Sequence, residues 1–177
     1  MRVFFAMNVE KYHASIRAIH WIMFILFAII FVLGVVMVEF KEMEPWAMYS
    51  FHKSTGVLVF LLVWLRLVTR WATQSPAPFP GMSPMNHRIA QGVVFLLYLL
   101  MILVPISGYA LSNVHGHDVY FYGLPLPTIF PTAPEWEGFT SQAHELSAYG
   151  FLIVFGLHLA GVIKHHVLGQ DVLRRIT

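Results

Sequence analysis

The sequence predicts an all-α membrane protein, a four-helix transmembrane bundle. Three observations carry that prediction. The chain is 58% hydrophobic and only 11% charged. It holds four apolar stretches near the length of about 20 residues that a helix needs to cross a hydrocarbon core. Its basic residues fall almost wholly on one side of those stretches. A soluble domain of 177 residues cannot hide so much apolar surface in one core, so lipid is the expected solvent.

The first helix is expected over about 18–38, which carries no charge from Ala18 to Val38. No early stretch joins a basic start, a short apolar core and a small-residue cleavage site, so this run is expected to stay in the mature chain. The second, about 49–71, has His52 and Lys53 at its start and Arg66 and Arg70 near its end. Its centre is apolar, and long basic side chains near helix ends extend their heads to the interface. The four prolines of 74–84 forbid a continuous helix and predict a stiff, extended link. The third helix is expected over about 89–114. From Ser112 to about Ser141 the chain lacks helical period. Pro125 and Pro127 stand there among Tyr120, Phe121, Tyr122 and Trp136, which suits a segment lying against the interface, with a functional loop as the alternative. The fourth helix, about 142–166, surrounds the charge-free core Leu146–Ile163. The whole chain, 1–177, is expected to be one domain.

Lysine and arginine are retained on the cytoplasmic side during insertion. With both termini inside, Arg2, Lys11, Arg17, Arg66, Arg70, Arg88, Lys164, Arg174 and Arg175 lie inside and only Lys41 and Lys53 outside. The outer face then holds most acids, in Glu39 to Glu44 and Asp118 to about Glu145. This predicts a multi-pass membrane protein with both termini cytoplasmic.

The chain has no cysteine, which excludes disulfides, thiolate metal sites, iron–sulfur clusters and covalently attached haem. A net charge of +2, scattered among apolar runs, gives no footprint for nucleic acid.

Ionisable residues inside a membrane are costly and face the bundle interior or a cofactor. Four histidines stand in such places: His20, His52, His144 and His158. His144 and His158 are fourteen residues apart, about 21 Å of rise and within about 40° of one helix face. Chain direction brings His20 level with His158, and His52 level with His144. Two facing pairs of imidazoles, stacked along the membrane normal, suit two b-type haems held axially without covalent bonds. Two axial ligands leave no open iron position, so such haems pass electrons. Gly56, Gly156 and Gly161 are candidate small neighbours of the porphyrin. Any single histidine here also has a plain reading as a packing residue. A zinc site wants a tight tetrahedral cluster, which no midspan acid completes.

The segments IHW at Ile19–Trp21, FHKSTG at Phe51–Gly56, HELSAYG at His144–Gly150 and GLHLAGVIKHH at Gly156–His166 resemble the short prokaryotic cytochrome b561 proteins, which are related to the cytochrome b subunits of nickel hydrogenases. The likeness spans almost the whole chain. It implies a four-helix di-haem bundle that exchanges electrons with quinones, and one branch of such proteins oxidises superoxide with ubiquinone as acceptor. The family's ligands fall on His20, His52, His144 and His158. Some members carry a further histidine in the third helix, near Val93 and Val94, where this chain has none.

Arg66, fourteen residues after His52, returns to the same face at the inner level, where it would meet a haem propionate or serve as an inside-positive anchor. Arg17 and Arg70 read as anchors. Lys53 would meet an outer propionate or attract an anion. His165 and His166 end the fourth helix about 12 Å beyond His158, too far to share its iron and suited to headgroups, propionates or a quinone. His115 and His117 beside Asp118 read as solvated loop. His13 and His87 carry no separate signal.

The expected function is a membrane oxidoreductase with two haem b, moving electrons between a one-electron donor and the quinone pool of a respiratory chain. Superoxide is a candidate donor, although the acidic outer loops oppose steering of an anion. Quinol oxidation towards an outer redox protein is the second oxidoreductase reading. A cytochrome b anchor subunit of a larger complex, and a histidine-lined ion transporter without haem, stand as alternatives of other classes.

Overall fold

The computed structural model describes residues 10–43, 46–77, 82–170 and 172–177. Arg2 and Glu44 of the charge count, and Pro78 and Pro80 of the link, lie outside the described residues. Four long helices carry the architecture: α1 (Ala14–Glu39), α2 (Trp46–Ala72), α3 (Pro84–Val114) and α4 (Glu137–Val167). All four are long and apolar enough to cross a membrane. Each begins before the span expected from charge-free length, because a helix continues through the polar boundary where its caps are found. His13 caps α1, its Nδ1 accepting from the Ser15 amide. Ser83 caps α3 by accepting from the Asn86 amide at 3.2 Å. Pro84 thus opens α3 instead of belonging to the link, in a position where its missing N–H costs nothing.

The buried apolar cluster is small: Ile19, Met23, Val59 and Val63, backed by Leu26, Phe27 and Met101 among others. Around it the helices leave large apolar side chains such as Ile25, Val32, Leu61, Phe95 and Ile153 exposed, the outward face that lipid requires. The main chains of α1 and α2, of α2 and α3, and of α3 and α4 approach closely. α1 and α4 meet through rings: Phe27 stacks on Phe151 at 4.5 Å between centroids, Phe24 lies 6.1 Å from Phe155, and Phe31 6.4 Å from Tyr149.

Seven-residue rows organise this interior: His20, Phe27 and Gly34 on α1; His52, Val59 and Arg66 on α2; His144, Phe151, His158 and His165 on α4. Seven residues advance a helix by about 10.5 Å and nearly close two turns. Since α1 runs against both α2 and α4, the rows meet in layers. Gly34, His52 and His144 form one layer, Phe27 and Phe151 the next, and His20, Arg66 and His158 the third.

The connection between α3 and α4 is a built structure. Strands β1 (Tyr120–Phe121) and β2 (Leu124–Pro125) pair antiparallel, with Phe121 opposite Leu124. Tyr122 and Gly123 make the two-residue turn at φ of 50° and 94°, the geometry that matches strand twist. The positive φ of Tyr122 costs about 1 kcal/mol, and α2 offsets it. The buried Ser54 hydroxyl accepts from the Tyr122 amide at 3.1 Å and donates to the Tyr120 carbonyl at 2.9 Å, and Thr55 Oγ1 lies 3.2 Å from the Tyr122 hydroxyl. Asn113, only 2% exposed, accepts from the amides of Ile129 and Phe130 and donates to the His117 carbonyl. Thus the segment expected to rest on the interface is clamped onto α2 and the end of α3.

At the other end a 3-10 turn, Val172–Arg175, packs against α4. The Tyr12 amide donates to the Arg175 carbonyl, Trp21 Nε1 donates to the Ile176 carbonyl, and Arg175 donates to the Ala77 carbonyl. Arg17, expected as an anchor, donates to the Thr177 carbonyl.

Candidate functional site

The hairpin-side layer brings His52 of α2 and His144 of α4 together. Their ring centroids lie 6.2 Å apart, with planes at 86°. Each ring rests against a glycine of a neighbouring helix. A Cβ on Gly34 would stand 3.1 Å from His52 Cε1, and one on Gly108 would stand 2.8 Å from His144 Cε1. The imidazoles therefore occupy space that any other residue would fill. Gly56, by contrast, faces Ile30, while Gly156 and Gly161 meet nothing within 4 Å. Those three glycines cradle no imidazole, and Gly156 and Gly161 open onto space rather than onto another side chain.

His144 Nδ1 lies 3.1 Å from the Val104 carbonyl and 3.2 Å from Ser107 Oγ. A carbonyl only accepts, so Nδ1 carries the proton and Nε2 keeps its lone pair, the tautomer of a metal ligand. His52 Nδ1 is buried without a partner at hydrogen-bonding geometry, with the Ile30 carbonyl near it. A cavity of about 60 Å³ lies between the two rings, Phe27, Phe31, Val104 and Phe151.

The spacing is informative. Two metal–imidazole bonds of about 2 Å on opposite sides of one iron, with half a ring beyond each, separate the ring centres by about 6.3 Å. The centroids of the observed pair stand at that separation, with His144 Nδ1 held by Val104 and Ser107 and His52 Nδ1 buried. These residues fit a haem held from both sides. Among the described residues no group of three or more His, Cys, Asp or Glu side chains gathers as a metal site; the imidazoles come in twos.

In the third layer His20 and His158 are close enough to interact electrostatically, and both also feel Arg66. Trp21 meets the His20 ring edge-on at 5.5 Å. Arg66 Nε donates to the Tyr98 hydroxyl at 3.0 Å, and Nη1 to the Ile16 carbonyl at 3.2 Å. The guanidinium is therefore held inside the bundle rather than extended along the helix towards its end. Arg70 instead covers the Tyr12 ring.

Lys53 is tied to the loop, Nζ donating to the Asp118 carbonyl at 3.4 Å, with the Asp118 carboxylate also within electrostatic range. His165 is buried and bonded through Nδ1 to Gln170 Oε1 at 2.7 Å, which fixes the turn after α4. His115 bonds the Leu111 carbonyl and stands 3.9 Å from Glu137. Gly34, Gly108, Ser107, Tyr98 and Ser54 escaped sequence reasoning. Gly34 alone had a signal there, as the third member of the row begun by His20.

Residues 11–177 match the family model described as prokaryotic cytochrome b561. Cytochrome b561 homolog 2 of Escherichia coli is 28% identical over 165 residues, 92% of this chain and 88% of that protein. The probable superoxide oxidase CybB of Yersinia pestis is 29% identical over 170 residues, 94% of this chain and 96% of that protein. Cytochrome b561 homolog 1 of Escherichia coli is 22% identical over 120 residues, 68% of each chain. With a family match over nearly its whole length and four helices able to span a bilayer, the chain belongs to the prokaryotic cytochrome b561 family and is a multi-pass membrane b-type cytochrome of electron transfer.

Proposed function

We propose that the chain is a di-haem oxidoreductase of the bacterial inner membrane that passes electrons from a one-electron donor on its outer face to the quinone pool. His52 and His144 would hold the outer haem, and His20 and His158 the inner one, with both termini cytoplasmic. The observation that carries this reading is the His52–His144 pair, at axial spacing with glycine behind each ring. Haem b held in these places would supply one-electron carriers.

The chain's own residues do the rest. Val104 and Ser107 fix the proton of His144 on Nδ1 and so turn Nε2 inward. The Phe27–Phe151 stack fills the middle layer with apolar rings and keeps water out between the two levels. Arg66 offers a guanidinium to a propionate of the inner haem. The clamped hairpin covers the outer end of α2, and Lys53 beneath it supplies positive charge beside the outer ligand.

Superoxide is the preferred donor, in keeping with the likeness to a probable superoxide oxidase. Two superoxide anions would surrender two electrons and leave as dioxygen, while one quinone takes up those electrons and two protons to become quinol. A second reading, an electron-transfer subunit of a larger membrane complex, rests on the ordered hairpin as a docking surface.

The absorption spectrum of the purified chain, with its haem-to-protein ratio, tests the proposal. Two haems are expected; one haem refutes the paired levels, and a missing Soret band refutes haem binding altogether. His52→Ala and His144→Ala should remove one and the same haem, and His20→Ala and His158→Ala the other. Loss in any other pairing overturns the assignment of ligands.

A further inference from the structure

Arg66 is the charged side chain least expected at its depth, and its surroundings define a site. The guanidinium bonds Tyr98, which with Leu67 packs against the buried cluster of Ile19, Met23, Val59 and Val63. Among the described residues no Asp or Glu is an ion-pair partner of Arg66. Of its five N–H donors, Nε–H goes to the Tyr98 hydroxyl and one Nη1–H to the Ile16 carbonyl. Three donors remain on a guanidinium that feels both His20 and His158. A cation in a low-dielectric interior without an anion is costly, and a planar fork is best satisfied by a carboxylate.

Tyr98 adds a second feature. Its oxygen accepts from Arg66, so its own O–H remains to donate, and no acceptor for it exists among the described residues. Tyr98 comes from α3, whereas Arg66 comes from α2 and Ile16 from α1. Three helices thus fix the orientation of one guanidinium. An anchor that served only to retain the helix end inside would gain nothing from such bonding, since it would extend to the interface instead.

We infer that Tyr98 is a positioning residue which, with Arg66, builds a carboxylate site in the His20–His158 layer. Its occupant is a propionate of the haem held there, so the inference rests on the two-haem reading above. By holding Arg66 against that carboxylate, Tyr98 neutralises a negative charge beside the iron and thereby favours the reduced haem. Without the hydroxyl, Arg66 loses one of its two tethers and the carboxylate keeps more of its charge.

The test is a double-mutant cycle read by optical redox titration of the purified, haem-loaded full chain: wild type, Tyr98→Phe, Arg66→Gln and the double variant. The haem ratio of the wild type comes first, since fewer than two haems refutes the functional reading and not merely this site. With two haems present, Tyr98→Phe is expected to lower one midpoint potential and leave the other in place. The drop should be threefold to tenfold in the reduction equilibrium, about 30 to 59 mV for one electron. In the Arg66→Gln background the same change should have little further effect, because the two residues act as one unit. Two unmoved potentials, or an equal shift in both backgrounds, overturn the inference. Selective loss of the haem that His20→Ala also removes supports it. Should Tyr98→Phe fail to assemble, Tyr98→Leu, which likewise removes the oxygen that accepts from Arg66, completes the cycle with the same expected and opposing outcomes.

Discussion

Gly108 of α3 lies so close to His144 of α4 that a Cβ would stand 2.8 Å from Cε1 and 3.1 Å from Nδ1 of the ring. A methyl group cannot enter without moving the imidazole off the Val104 carbonyl. Gly108→Ala is therefore expected to lose the haem of that layer while the other stays, as read by the haem-to-protein ratio. Gly34→Ala, with 3.1 Å to His52 Cε1, should weaken retention without abolishing it. Equal and full haem content in both variants would show that the glycines are incidental to the site.

Ser54 joins α2 to the hairpin with two hydrogen bonds from one hydroxyl that is 4% exposed. Ser54→Ala leaves the Tyr122 amide and the Tyr120 carbonyl without that partner, at a cost of about 1–3 kcal/mol. Local opening should show as faster hydrogen exchange over 120–126 at unchanged haem content. Unaltered exchange would mean that the turn holds its shape without α2.

Asn113 satisfies three main-chain groups of the loop with one side chain. Asn113→Ala should lower the thermal midpoint of the purified protein by more than Ser54→Ala does, since three main-chain groups lose a partner instead of two. Asn113→Asp keeps the acceptor and loses the donor, so it should fall between wild type and Asn113→Ala. The reverse order would contradict the clamp.

Lys53→Gln removes the positive charge beside His52, the proposed outer ligand, while leaving a polar side chain. If superoxide is the donor, the bimolecular rate of haem reduction should fall a few-fold at low ionic strength, and its dependence on salt should flatten. A rate that is unchanged at all salt concentrations would point to a neutral donor, such as a quinol.

Fold class and the presence of four spans could be seen in the sequence because both follow from composition and length. The levels of His52 and His144 followed from helix rise and chain direction, which are local quantities. The starts of α3 and α4 lie before the expected spans, while their ends agree with them, because charge-free length marks the hydrocarbon, whereas Ser83 and the 3-10 turn at Pro134–Trp136 mark where the helix begins. Gly108 and Tyr98 were invisible because each matters through a partner on another helix, and nothing in α3 announces which face meets α4 or α2. The hairpin was missed for a related reason. Its turn carries Tyr122 at positive φ, a residue that signals no such turn alone and is held there by Ser54, nearly seventy positions away.

The seven-residue rows make helix length itself a functional quantity. One residue added or removed between His144 and Phe151 would turn everything beyond it by about 100° and slide it by about 1.5 Å. The stack on Phe27 and the meeting of His158 with His20 would then be lost together. The loop from His115 to Glu137 is under no such phase constraint. Within this bundle, changes of length are therefore tolerable only outside the stretches between layers, and the spacing of the rows is as much a part of the site as the side chains it places.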